Sequence, residues 1–158
     1  MIKRKGYQYL IPAIRNLDIK LQLIGDGNLT TELKQLVKQN KIDVEFLGKK
    51  NHKEIIKYLQ KADVFVLPSL NEGMSNSILE AMACGLPIIT TDTGGSKELI
   101  KGNGFIVKKN NISELKDAMQ KFIDNSKLIK QMGNKSRKLV EEMSWNNVAD
   151  KYLEVYRG

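Results

Sequence analysis

The sequence predicts an α/β fold of the doubly wound class: a parallel, Rossmann-like sheet with helices on both faces. Three observations predict it. Apolar runs of strand length alternate with segments of helical spacing along nearly the whole chain, the pattern of repeated βα units. The runs are four or five continuous apolar residues rather than an apolar/polar alternation, as strands covered on both faces require. With 158 residues, no internal repeat and no low-complexity linker, the chain suits one domain.

Taken in order, Leu21–Ile24 is the first strand, closed by Gly25-Asp26-Gly27. Residues 31–40 follow with helical spacing at Leu33, Leu36 and Val37. Val44–Leu47 is the next strand, closed by Gly48. Asn51-His52-Lys53-Glu54 reads as a capping box opening a helix to about Ala62. Val64–Leu67 is a strand, residues 75–84 a short helix stopped by Gly85 and Pro87, and Ile88–Thr91 and Phe105–Val107 two more strands. Asn111-Ile112-Ser113-Glu114 repeats the capping-box signal ahead of a helix to about Asn125. Helices over 126–143 and 145–156 complete the chain, so residues 1–143 are expected to form the domain and 144–158 a terminal helix.

In doubly wound sheets ligands bind beyond the carboxyl ends of the strands. That places attention on the loops 25–28, 48–51, 69–76 and 92–96. The net charge of +8 is uneven. Residues 1–60 carry 12 Lys/Arg against 6 Asp/Glu, so a basic face there suits a phosphate-bearing ligand or an anionic membrane. Nucleic acid is not expected, because aromatics are only 6% and no binding signature is present. The single cysteine, Cys84, cannot form an intrachain disulfide. No apolar run approaches the roughly 20 residues of a membrane span. Together with the lack of a secretory signal, this leads to the expectation of a cytoplasmic protein, with peripheral contact at the inner membrane face as an option.

The most informative stretch runs from Pro68 to Pro87. A buried strand ends at Pro68, and a polar loop carrying Glu72 follows. Gly73 lets a ligand approach bare backbone. A helix starts near Ser75, with Asn76 in its first turn, and its free N–H groups form an anion site. Glu80 lies about one turn into that helix, so both carboxylates can face one crevice, as acceptors for sugar and ribose hydroxyls. The plainer alternative makes Glu72 a charge favouring the helix dipole and Glu80 an ordinary exposed residue.

The neighbouring residues bear on that choice. Glu72 and Glu80, with Glu72-Gly73-Met74-Ser75 and Ala81-Met82-Ala83-Cys84-Gly85-Leu86-Pro87, resemble the Glu-x7-Glu signature of the family 4 glycosyltransferases, which have the GT-B fold. Gly94-Gly95 with Glu98, Leu23-Ile24-Gly25-Asp26-Gly27, Phe46-Leu47-Gly48 and Ser144-Trp145 match further elements of that family, in order. The resemblance implies the donor-binding, C-terminal half of a retaining glycosyltransferase. Such an enzyme moves a sugar from a nucleoside diphosphate to an acceptor bound by a separate N-terminal domain. A non-catalytic nucleotide-sugar-binding module is the alternative.

The resemblance also implies roles. Glu80 binds ribose hydroxyls. Glu72 binds a donor-sugar hydroxyl beside the amides of Gly73, Met74, Ser75 and Asn76. Lys5 neutralises the diphosphate, and the turn at Gly48 and Lys49 meets the base. No Asp-x-Asp occurs, so neither a metal nor any other cofactor is expected. The family's Gly-Arg, at the end of its first strand, would fall just before Met1. The central strand of the sheet is therefore expected to be missing, with the residues before Lys5 as a remnant in its slot. His52 and Trp145 are expected as capping-box and packing residues, Cys84 and Met82 as core, and Lys3 and Arg4 as surface.

Overall fold

A computed structural model describes residues 1–40 and 42–143. Among these residues five strands form: β1 (Leu21–Ile24), β2 (Val44–Gly48), β3 (Phe65–Leu67), β4 (Ile88–Thr91) and β5 (Gly104–Val107). The expected strands are all present, with ends within a residue. All observed pairings are parallel, but they divide between two sheets, β1-β2 and β3-β4-β5. Seven α-helices among the described residues connect and cover them: α1 (Tyr7–Ala13), α2 (Thr30–Asn40), α3 (His52–Leu59), α4 (Asn76–Ala83), α5 (Ser96–Leu99), α6 (Ile112–Asp124) and α7 (Lys127–Glu142). The helix expected over 145–156 lies outside the described residues.

Helices lie on both faces because the strands are apolar on both. Ile88 and Ile89 are each fully buried but belong to different clusters, since successive side chains of a strand point to opposite faces. One cluster gathers α1, α2 and α6 around Leu10, Ile11, Leu23, Leu33, Ile89 and Leu115. The other gathers α3, α4 and α5 around Leu59, Leu67, Ile78, Met82 and Ile88. Met82 is core, as expected, and Cys84 is half-buried against the second cluster. Burial raises the Cys84 thiol above its ordinary value, the Glu80 charge adds to this, and Arg137 opposes it.

Local chemistry explains the element ends. The Asn51 side chain accepts from Glu54 N–H while Glu54 accepts from Asn51 N–H, so the expected capping box forms in full. The second box is only half met. Asn111 caps Glu114, but the Glu114 carboxylate accepts from Lys108 N–H and the Asn111 side chain. Helix α7 packs on α4 through Gly133, where a Cβ would stand 2.1 Å from the Gly85 carbonyl. Nearby, Arg137 donates to the Ala83 carbonyl at the end of α4, and buried Asn103 donates to Ser136.

Two features of the N-terminal part differ from expectation. Helix α1 was not foreseen; it forms despite Pro12, which removes one intrahelical donor, because Leu10, Ile11 and Ala13 are buried between α2 and α6. The residues before Lys5 do not fill a strand slot either. Lys3–Lys5 is a single 3-10 turn. Met1 is buried, and its carbonyl accepts from Leu29 N–H at the carboxyl end of β1. Among the described residues β1 and β3 are not paired with each other, so the parallel strands form two sheets rather than one.

Candidate functional site

The site begins with Gly6. Its φ of +73° is a left-handed conformation, and a Cβ there would sit 1.8 Å from the Pro68 carbonyl oxygen. Only glycine lets the Lys3–Lys5 turn lie against the end of β3. A second tie holds it: Leu70 N–H donates to the Arg4 carbonyl at 2.7 Å. These contacts bring Lys5 onto the loop that follows β3.

There Lys5 Nζ meets Glu72 Oε1 at 2.5 Å, and the Ser69 hydroxyl donates to the same oxygen at 2.9 Å. Ser69 is fully buried, and the Thr91 hydroxyl at the end of β4 donates to its carbonyl. Burial pushes the Glu72 carboxyl up. The hydrogen bonds from Lys5 and Ser69 and the charges of Lys5 and Arg4 outweigh it, and the net value lies below the ordinary glutamate range. Glu72 in turn raises Tyr7, behind burial as the larger cause. The carboxylate is thus ionised, oriented and only partly exposed.

The loop beyond Glu72 is held from below and open above. A Cβ on Gly94 would lie 3.0 Å from the Glu72 carbonyl oxygen, and one on Gly95 3.1 Å from that of Gly73. The Gly-Gly pair therefore lets the β4–α5 turn support the loop. Buried Ser96 braces that turn by donating to the Thr93 carbonyl and accepting from Thr93 N–H. A Cβ on Gly73 would meet nothing within 4 Å, and Met74 is exposed. Ser75 precedes α4 as a buried N-cap without a side-chain cap; its hydroxyl bonds Ser77 instead. Asn76 is exposed in the first turn. The first N–H groups of α4 thus have no side chain bonded across them, which favours an anion there.

Glu80, one turn into α4, faces a different neighbour. Its Oε1 is 3.7 Å from Nδ1 of His52, the first residue of α3. This contact joins α4 to the start of α3, and the turn before α3 is held by Gly25 N–H donating to the Gly48 carbonyl at 2.8 Å. Lys49, next in that turn, is exposed. His52 is the exposed first-turn residue expected from the capping box, but its contact with Glu80 was not foreseen. The two residues are 28 positions apart, and no local pattern announces the pair. Lys3 and Arg4 are exposed, as expected.

The structure therefore brings Lys5 together with Glu72 and places Gly73, Met74, Ser75 and Asn76 beside them. Glu80 meets His52, four residues beyond Gly48. Such an arrangement offers two carboxylate acceptors, a cation, a helix start without a side-chain cap, and bare backbone for close approach. Among the described residues no three His, Cys, Asp or Glu side chains gather as a metal site would require. No helix among them is long and apolar enough to cross a membrane.

Comparison with known proteins yields consistent matches. The profile of the family described as "Glycosyl transferases group 1" matches residues 1–139. An uncharacterized glycosyltransferase of Methanocaldococcus jannaschii is 33% identical over 158 residues, covering 98% of this chain and 45% of that protein. The UDP-Gal:alpha-D-GlcNAc-diphosphoundecaprenol alpha-1,3-galactosyltransferase of Escherichia coli is 34% identical, covering 94% and 39%. Among solved structures, sucrose-phosphate synthase of Thermosynechococcus elongatus superposes with a TM-score of 0.83 at 26% identity, over 99% of this chain and 42% of that one. The chain thus spans less than half the length of these relatives.

Proposed function

The chain belongs to the group 1 glycosyl transferases, and from that premise we propose that it is the donor-binding half of a retaining hexosyltransferase. The donor is a nucleoside diphosphate sugar, with uridine or guanosine as the nucleoside. The Escherichia coli relative is named for a UDP-sugar donor and a lipid-linked acceptor, which supports a donor of this class. Polysaccharide or glycolipid synthesis is the corresponding setting.

The observation that carries the reading is the cluster of Lys5, Glu72 and Ser69 beside open Gly73 and the uncapped start of α4. In the proposed complex the diphosphate lies over the α4 amides and Lys5. Glu72 accepts from a donor-sugar hydroxyl, and the backbone of Gly73 to Asn76 borders the sugar. Glu80 accepts from the ribose hydroxyls, and the Gly48–Lys49 turn meets the base. As the bond from sugar to diphosphate breaks, negative charge grows on the leaving oxygens. The helix amides at the start of α4 face that charge without reorganising. Lys5 must then exchange part of its hold on Glu72 for phosphate. This charge can be met by the chain's own groups, without a metal.

The acceptor lies on a facing domain, and transfer requires it. The 158-residue chain alone is expected to bind donor weakly and to transfer no sugar, because the facing wall of the cleft supplies part of the transition-state environment. Calorimetry with UDP- and GDP-sugars tests the reading. Glu80→Ala should lose roughly 1.5–3 kcal/mol of binding, the worth of a charge-assisted hydrogen bond. Equal binding by wild type and Glu80→Ala would overturn the assignment of the ribose site, and sugar transfer by the chain alone would overturn the requirement for a facing domain.

A further inference from the structure

The two carboxylates of the site are held in different ways. Glu72 accepts hydrogen bonds from Lys5 and Ser69. Among the described residues no hydrogen-bond donor lies on the Glu80 carboxylate, and its one ion-pair contact is with His52, Oε1 to Nδ1 at 3.7 Å. At that distance the contact is one of charge rather than a hydrogen bond, so its strength follows the charge on the ring. Histidine side chains change charge near neutral pH, and His52 is the single histidine of the chain.

Both ends of the contact are anchored. His52 opens α3, whose first turn is fixed by the reciprocal Asn51–Glu54 bonds, and the ring takes no part in that cap. Glu80 stands on α4, which is seated by buried Ile78, Ala81 and Met82. The contact thus joins two helices that are each held by bonds and packing of their own. The other charged or titratable groups around it are few. On the His52 side they are Lys53 and the pair Lys50–Glu54, 3.6 Å apart. On the Glu80 side they are Cys84, one turn further along α4, whose thiol the Glu80 charge raises, and Lys5, which is engaged by Glu72.

We infer that His52 is a positioning residue for the nucleoside part of the donor: its charged ring holds Oε1 of Glu80 and leaves Oε2 to accept from the ribose hydroxyls. The inference rests on the reading of Glu80 as the ribose acceptor. A glutamate side chain that is free to rotate loses conformational entropy when it binds. One already turned by a partner loses less, and the difference appears as affinity. The His52 side chain is 66% exposed, so the pair adds little to folding, and its effect falls on ribose recognition instead. His52 acts through Glu80, so removing the ribose hydroxyls removes its effect. Because the hold depends on charge, recognition of the ribose strengthens as pH falls through the range in which histidine gains its proton.

The test is calorimetry at about pH 5.5 and about pH 8, on either side of the histidine range. UDP is compared with its dideoxy form, which lacks the ribose hydroxyls, and GDP with its own dideoxy form. The diphosphate titrates alike in both members of a pair, so the ratio of their affinities isolates ribose recognition. In wild type this ratio should be about two- to fivefold larger at the lower pH, the worth of an exposed ion pair. His52→Ala leaves the Asn51–Glu54 box in place and should show the smaller ratio at both pH values. His52→Lys carries its charge at both and should show the larger ratio throughout. Glu80→Ala should bind the two forms equally. A wild-type ratio that does not change with pH, a change that persists in His52→Ala, or a His52→Lys protein that behaves as His52→Ala would overturn the inference while leaving Glu80 in its role. Equal binding of the two forms by wild type, or no binding of either nucleotide, would overturn the reading of Glu80 and this inference with it.

Discussion

The two sheets of this domain are built from similar sequence and reach different degrees of order in packing. In β4 every residue is buried, both edges are paired, and the helices behind it include fully buried Ala81 and Met82. In β1 only Leu23 is buried, and no residue of β2 is. The difference comes from position. β4 has a strand on each side; β1 is paired with β2 alone. The pieces of the proposed donor site divide along the same line. Glu72, Ser75 and Glu80 rise from the well-packed half, whereas the Gly48–Lys49 turn ends the weaker one, and Lys5 reaches across from the N-terminal segment.

Removing core from each half should expose the contrast most strongly. Ile88→Ala should cost about 2–5 kcal/mol in denaturant unfolding, since β4 cannot collapse around the lost volume. Leu21→Ala, in β1, should cost less than about half as much, because that side chain is only partly buried. Equal losses would remove the distinction between the halves.

A somewhat smaller effect is expected where the N-terminal segment crosses to β3. Gly6→Ala combines a left-handed backbone with a clash against the Pro68 carbonyl, and about 1–3 kcal/mol should be lost. More tellingly, it should displace Lys5 from Glu72 and weaken donor binding while leaving the β4 core intact. A Gly6→Ala protein with unchanged stability and unchanged donor binding would show that this crossing is not needed.

How much of this was legible in the sequence follows from which interactions are local. The five strands were, because each is a short apolar run closed by a glycine, a proline or a polar turn. The Asn51–Glu54 box was, because its partners are three residues apart. Helix α1 was not: Leu10, Ile11 and Ile14 carry a helical spacing, but Pro12 inside it and the lack of a side-chain cap hide the signal. The resemblance placed Lys5, Glu72 and Glu80 in one site, yet neither the Lys5–Glu72 pair nor the His52–Glu80 contact has a signal in local spacing. Both depend on strands and turns far apart in the chain.

The smallest effect concerns acid. Glu72 lies below the ordinary glutamate value of about 4.3 when folded. Its contribution is therefore complete above that value and is lost as pH falls through the lowered one. Lys5→Met removes a major cause of the lowering. Its melting temperature should sit below wild type at pH 7, and the gap should narrow as pH falls from above the ordinary glutamate range to below it. A gap that stays constant over that range would mean that the Lys5–Glu72 pair adds nothing to folding.

The most direct test of the donor site is a titration of the isotope-labelled chain with UDP and, separately, GDP, followed by amide chemical shifts. The account predicts that one of them moves the amides of Gly48–Lys49, Gly73–Asn76 and Glu80 together, with a single dissociation constant, from both halves of the domain. Shifts confined to other surfaces, or none with either nucleotide at millimolar concentration, would contradict it.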